Sequence, residues 1–405
     1  MSDCIRTIPE GTITCATGFS AGAVLAGINK HPPLGLDLGI VCSDSDCQTA
    51  AVFTTNRVKA APIIVCRNRL PSGNIRALIV NSGIANACTG EAGLNDARQM
   101  AMLAANYLGI SDEQILPMST GVIGQRLPMD LIQKYVSRIG LSSTGGHDFA
   151  RAIMTTDTRT KEIAVQVESK AGGYVIGGVA KGAGMIAPDM ATTLCFIATD
   201  AAVESITLGK CLKKAADISF NMITVDGDTS TNDTLLVMAN GRSGCPSIRT
   251  GTPAEKEFQA ALEWVLIHLA RCVIADGEGA TRTITANVCG ARSYKDARLA
   301  ARAIAGSNLV KAAVHGQDPN WGRILSAAGS SGAFLDESIL TLKIGGKTVF
   351  SNGTPAEPDP DGIIWAMSVD DVLIDLNLNI GKGRATAWGC DLSEEYVTIN
   401  SEYTS

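Results

Sequence analysis

The sequence predicts an α/β protein of the mixed, α+β type: a layered sandwich of sheets and helices to which both halves of the chain contribute. Three observations carry this. Short β-rich runs and helix-periodic stretches are intermixed along the chain. Hydrophobic residues make up 45% of the 405 positions and aromatic residues only 4%, against 42 Gly, so a large core has to be packed from small side chains, Ala and Val chiefly. No Pro/Ser linker or low-complexity tract divides the chain.

In chain order, Ala77–Val80 is the first β-rich run, and Asn95–Leu108, rich in Ala and Met, reads as a buried helix. Ile163–Val167, Tyr174–Val179, Leu194–Ala198 and Thr234–Ala239 follow as short strands bounded by Gly, Pro or Asn. Phe258, Leu262, Val265 and Leu269 fall on one helical stripe, with Glu255, Lys256 and Glu257 at its start. Thr283–Val288 is a strand. Ser293 then caps a helix through Ile304, with Gly306 just past its end, and Val372–Leu378 is the last strand.

Composition excludes several classes of function. A net charge of −6 argues against nucleic acid, which needs clustered Lys and Arg. Twelve Cys lie scattered without CxxC pairs, as expected of reduced, mostly buried thiols in a cytosolic protein. The four His (His31, His147, His268, His315) stand at no short spacing from a Cys or from one another, so no metal site is expected. Met1-Ser2-Asp3-Cys4 begins no leader, and no apolar run approaches membrane length. The expectation is a soluble cytoplasmic enzyme.

The most informative segment is Lys181-Gly182-Ala183-Gly184-Met185-Ile186-Ala187-Pro188-Asp189-Met190-Ala191-Thr192-Thr193-Leu194. A Gly-rich approach and a rigid Pro188 precede an Ala-Thr junction, and an apolar strand follows at once. A threonine at the mouth of a buried strand can attack the carbonyl before it. An N→O acyl shift and ester hydrolysis then leave a new N-terminus. That residue carries a hydroxyl nucleophile and an α-amine of pKa about 7.7–8.0, able to serve as its own base. Cleavage between Ala191 and Thr192 would give an α-chain of residues 1–191 and a β-chain of residues 192–405. Gly182 and Gly184 would also suit a phosphate-cradling turn, but no Gly-x-Gly-x-x-Gly before a helix appears.

Several segments together resemble the glutamate N-acetyltransferase (ornithine acetyltransferase) family of arginine biosynthesis. They are Asn81–Gly90, Ser119–Gly124, Met154–Thr158, Lys181–Leu194, Thr224–Asp233, Asp276–Thr281 and His315–Arg323, in order from about residue 10 to the C-terminus. Departures are Ile84 for a usual Asn, Thr160 for a usual Pro, and Thr193 for a usual Met; the last makes a Thr-Thr pair, and the family register favours Thr192.

The resemblance implies the same layered architecture and roles for particular residues. Thr192 is the nucleophile, and Thr120 and Gly121 are the oxyanion donors. Thr155 and Lys181 contact substrate, Glu278 pairs with the distal ammonium of ornithine, and Asn400 and Ser405 close over the site from the C-terminus. It implies transfer of acetyl from N-acetylornithine to glutamate by a ping-pong route through acetyl-Thr192, without a cofactor. It leaves acetyl-CoA open as a further donor, and it implies an assembly of two α and two β chains.

Asp226, Asp228 and Asp233 suggest a cation loop, but the sixth and twelfth positions of a calcium loop would be Thr231 and Val237, so the stretch reads as a turn supporting the site wall. His315–Arg323 reads as structural. Two other classes compete with the transferase: an N-terminal-nucleophile amidase or aminopeptidase, in which water takes the acyl group, and a non-catalytic binder of small amino acids, which would stay in one piece.

Overall fold

A computed structural model of the chain describes residues 4–169, 172–187, 193–357 and 359–402. The strands, in chain order, are β1 (Ile5–Thr7), β2 (Phe19–Val24), β3 (Leu38–Phe53), β4 (Ser72–Asn81), β5 (Ile115–Ser119), β6 (Lys161–Val167), β7 (Tyr174–Lys181) and β8 (Leu194–Thr199). After them come β9 (Ile223–Thr224), β10 (Thr234–Ala239), β11 (Thr283–Ala291), β12 (Thr341–Ile344), β13 (Lys347–Ser351), β14 (Thr354–Pro355), β15 (Asp371–Asn377) and β16 (Gly383–Cys390). Among the described residues they form a nine-stranded sheet in the order β1-β6-β7-β8-β10-β3-β4-β5, with β2 also on β3, and a seven-stranded sheet in the order β14-β13-β12-β15-β11-β16-β9.

Alternation decides what each face of the first sheet buries. Cys195, Ile197, Leu235 and Val237 point to one face, and Leu194, Phe196, Leu236 and Met238 to the other. The helices that cover these faces are α1 (Ala61–Arg69), α2 (Gly90–Leu108), α3 (Met129–Tyr135), α4 (Gly146–Ala152), α5 (Ser205–Asp217) and α6 (Pro253–Ile274). The first face packs on α5 and on the predicted Phe258–Leu269 stripe of α6; the second packs on α4 through Phe149. The helices α7 (Tyr294–Gly306), α8 (Asn308–His315), α9 (Trp321–Gly329), α10 (Pro360–Ser368) and α11 (Glu394–Glu402) complete the chain. Ile284, Ala286, Val372 and Ile374 of the second sheet join the same core as α7 and α9, whose buried residues are mostly Ala. The small-residue core expected from composition is the one found.

Helix starts follow capping chemistry. Ser293 accepts from the Asp296 N–H at the head of α7, as predicted, and Thr252 accepts from Glu255 N–H ahead of Pro253. Gly306 is a correction: it is the last residue of α7, outside the left-handed region, and Ser307 ends that helix while capping α8 through Val310 N–H. The Cys expectation also needs amending. None of the twelve is in a disulfide, but five are buried, five are half-buried, and Cys88 and Cys289 are exposed.

Strands from either side of residue 192 interleave. β8 lies between β7, its antiparallel neighbour, and β10, its parallel one, and β10 pairs in turn with β3. All six residues of β8 are buried.

Candidate active site

Two loops that cross at the C-terminal ends of β4 and β5 build one wall. Gly121 has φ +126°, and a Cβ there would lie 2.3 Å from the Gly83 carbonyl carbon, so only glycine permits the crossing. Val122 N–H donates to Gly83 O at 3.1 Å, and Ala85 N–H to Val122 O at 2.9 Å. Asn232, just ahead of β10, clamps both loops by donating from Nδ2 to Ala85 O and Ser119 O, each at 2.7 Å. Asn81 and Ser119 lock the bases through a 2.6 Å side-chain bond. Among the described residues, neither the Gly121 N–H nor the Thr120 hydroxyl has a hydrogen-bond partner, so both donors remain available.

A second wall is tied by a buried charge cluster. Lys161 Nζ donates to Asp157 Oδ1 and Asp276 Oδ2, each at 2.6 Å, with about 1% of the lysine exposed. Asp157 also accepts from Thr155 N–H at 3.0 Å and Gly182 N–H at 2.6 Å, while Asp276 accepts from Thr158 N–H at 3.1 Å. One cluster thus holds the Thr155 segment, the end of β7 with Lys181, and the loop that carries Glu278. Burial alone would raise the Asp157 carboxyl, but Lys161 and Lys181 hold it well below the usual carboxylate range. Burial pushes the Lys181 ammonium down, while Asp157 opposes the shift.

The third wall comes from the C-terminal half. Glu278 N–H donates to Ala183 O at 2.9 Å, and its carboxylate packs on Gly184, where a Cβ would fall 2.3 Å from Oε2. Asn400 on α11 donates to Glu278 Oε2 at 2.7 Å. The chain then turns at Met185, whose φ of 55° is the left-handed conformation that a side chain disfavours by about 1–2 kcal/mol. Asp226 holds the turn by accepting from Met185 N–H at 2.6 Å and Ile186 N–H at 2.9 Å. Both of its oxygens are committed to backbone, the supporting role read from the sequence. His315 Nδ1–H donates to the Asp391 carboxylate at 2.8 Å, and Asp391 ties down Thr281 N–H just past Glu278.

Thr120, Gly121, Thr155, Lys181, Glu278 and Asn400 therefore line one cleft, together with Gly184, Thr231 and Asn232. Ala191, Thr192 and Ser405 lie outside the described residues. Thr193 is buried, and its carbonyl accepts from Thr234 N–H at 3.0 Å. A larger hollow, ≈ 620 Å³ against ≈ 90 Å³, opens beside Arg159, Trp264, His268 and Trp388 but contains none of the predicted residues. Convergent polar groups, rather than size, mark the site.

Sequence reasoning missed Lys161 and the roles of Asp157, Asp276 and Asn232. Lys161 looks like any strand lysine, and only the Thr-Thr-Asp-Thr and Asp-Gly-Glu-Gly segments hinted at its carboxylate partners.

Chemically, the cleft brings a hydroxyl, a glycine N–H, an ammonium, a carboxylate and an amide around one small volume, groups of the kinds that acyl transfer to or from an amino acid uses. The comparisons agree with this. The arginine biosynthesis bifunctional protein ArgJ of Dehalococcoides mccartyi is 52% identical over 406 residues, covering all of both chains. The protein of the same name from Symbiobacterium thermophilum is 48% identical over 97% of this chain and 98% of its own. A crystal structure of that protein from Bacillus halodurans aligns with a TM-score of 0.50 at 39% identity, covering 51% of this chain and 98% of the solved one. The model of the ArgJ family matches residues 20–405, and the chain belongs to that family.

Proposed function

We propose that this chain is a self-cleaving acetyltransferase of arginine biosynthesis that moves acetyl from N-acetylornithine to glutamate. The observation that carries it is the convergence of six residues from five separate segments on one cleft, beside the strand that begins at Leu194. Thr192 Oγ1 attacks the acetyl carbonyl, and the free α-amine of Thr192 takes the hydroxyl proton. Gly121 N–H and Thr120 stabilise the oxyanion, a contribution of about 2.7–4 kcal/mol per donor. The C–N bond breaks, the proton passes to the leaving amine, and ornithine departs, its distal ammonium having faced Glu278. Glutamate then attacks the acetyl ester, N-acetylglutamate forms, and Thr192 is restored.

The relatives' name, bifunctional, fits acetyl-CoA as a second acetyl donor to the same threonine. A solved relative whose chain matches about half of this one is what a protein of two pieces, 1–191 and 192–405, would give. Two copies of each piece, in the cytoplasm, complete the proposal; among the described residues no helix is long and apolar enough to cross a membrane.

Mass spectrometry of the purified protein, before and after N-acetylornithine, tests this. The expected result is two fragments, with about 42 Da added to the one that begins at Thr192. An intact chain with full activity, or a Thr192→Ala variant that cleaves and turns over normally, overturns it. Acetate release that does not need glutamate makes the protein an amidase instead.

A further inference from the structure

We propose that His315 is a positioning residue for the amino-acid side of the cleft: its imidazole joins Asp391 to Glu394 and so fixes the foot of α11, the helix that brings Asn400 to Glu278. This rests on the acetyltransferase reading above, in which Glu278 and Asn400 receive the substrate.

The way α11 is held is the first support. The helix has no buried residue, and Asn400 near its end is exposed. Its first turn, however, is tied to the frame. Ser393 Oγ donates to Gly279 O at 2.6 Å, and Tyr396 packs half-buried against the core. Gly279, at φ +68°, lies so close under this turn that a Cβ there would fall 2.5 Å from the Tyr396 nitrogen. Gly279 follows Glu278 in the chain, so a shift at the foot of α11 reaches both partners of the Asn400–Glu278 bond.

The pairing of His315 is the second. It is the last residue of α8, and its side chain is 30% exposed. Nδ1–H donates to Asp391 Oδ2 at 2.8 Å, and Nε2 lies 3.4 Å from Glu394 Oε2. Asp391 is fixed in place: it accepts from Thr281 N–H at 2.8 Å, Arg282 N–H at 2.9 Å and the Thr281 hydroxyl at 2.6 Å. Burial alone would raise its carboxyl, but these bonds and the one from His315 hold it below its usual value. Glu394 is the opposite case, the first residue of α11 and 93% exposed. One ring therefore has a rigid carboxylate on one nitrogen and the end of a surface helix on the other.

Charge is the third. With a single proton, at Nδ1, the ring offers Glu394 a lone pair, which a carboxylate avoids. With a second, at Nε2, it becomes an imidazolium between two carboxylates and draws Glu394 in. Neighbouring cations point elsewhere. Lys311, one turn back on α8, bonds to Val225 O and, at 3.7 Å, to Cys390 Sγ. The Arg282 guanidinium lies on the Thr281 hydroxyl, and Arg323 of α9 reaches Leu309 O at the far end of α8. The clamp on α11 closes as His315 takes its second proton and slackens as it loses it.

The test uses two variants. His315→Gln can still donate to Asp391 but never carries charge; Glu394→Gln is an exposed change that leaves the His315–Asp391 bond in place. KM and kcat for acetyl transfer from N-acetylornithine are followed against pH, and amide hydrogen exchange of residues 394–402 is read by mass spectrometry. On the acid side of histidine titration, KM in either variant is expected about threefold above wild type, the size suited to an exposed ion pair. In Glu394→Gln that ratio is expected to fall toward one as pH rises, with kcat within about twofold throughout. The α11 amides are expected to exchange about threefold faster.

A KM ratio that does not change with pH, a loss in kcat rather than KM, or unchanged exchange in α11 overturns the proposal. If His315→Gln does not fold, Glu394→Gln decides alone by the same readings. A wild type that leaves N-acetylornithine untouched instead overturns the acetyltransferase reading. The exchange of α11 then still decides the clamp: equal rates in wild type and Glu394→Gln overturn it.

Discussion

The two sides of the cleft are built on opposite principles. On the side of the Gly83 and Gly121 loops and of Lys181, every support is buried: Asn232 bridges two loops, and Lys161 joins two carboxylates that hold three chain segments. On the other side Asn400 reaches Glu278 from α11, a helix with no buried residue. The lesson is a division of labour. On the proposed function, the groups that would meet the transition state sit on a fixed frame, whereas Asn400, which would help receive the amino acid, sits on a surface helix that can adjust.

Substitutions on the two sides should therefore differ in kind as well as size. The largest effect is expected from Lys161→Met, which leaves Asp157 and Asp276 facing each other in a dry interior. Breaking a buried pair in this way costs about 3–5 kcal/mol. Denaturant titration would read it, and a loss below about 1 kcal/mol would mean that the frame is not held by this cluster. Next comes Gly121→Ala, in which the added carbon meets the Gly83 carbonyl and a left-handed φ at once. Loss of the oxyanion donor should lower kcat by about 10²–10³-fold at nearly unchanged KM, and steady-state kinetics with N-acetylornithine would check it. The smallest effect belongs to Asn400→Ala. It removes two exposed hydrogen bonds, to Glu278 Oε2 and to Tyr396 O, each worth about 1 kcal/mol, so KM should rise several-fold with kcat within about twofold. If Asn400→Ala were instead to abolish kcat, the contrast between the two sides would fall.

Periodicity and capping revealed what they physically encode. The seven strands read from β-rich runs are all present, and the Ser293 cap and the Phe258 stripe lie where their spacing puts them. The long strand β3 escaped notice because Ser43, Asp44, Ser45 and Asp46 interrupt its apolar pattern, and the ladder to β4 is irregular there, between Cys42 and Cys47 and again before Thr49. Helix α11 escaped for the opposite reason: it has no apolar face to detect. At the site, motif residues that touch the cleft were recoverable because their residue types match acyl chemistry. Lys161 and Asn232 were not, since what they do depends on partners 115 and 147 residues away, a separation on which local sequence is silent.

The placement of β8 has a consequence for the proposed cut between Ala191 and Thr192. A nick in an ordinary sheet often bares a raw edge, a template for aggregation. Here the strand that starts two residues after the junction is already laced on both flanks, to β7 and to β10. A break before it would strip no ladder of its neighbour, so a protein cut there would gain a new terminus without becoming sticky, and its pieces would part only by melting the sheet.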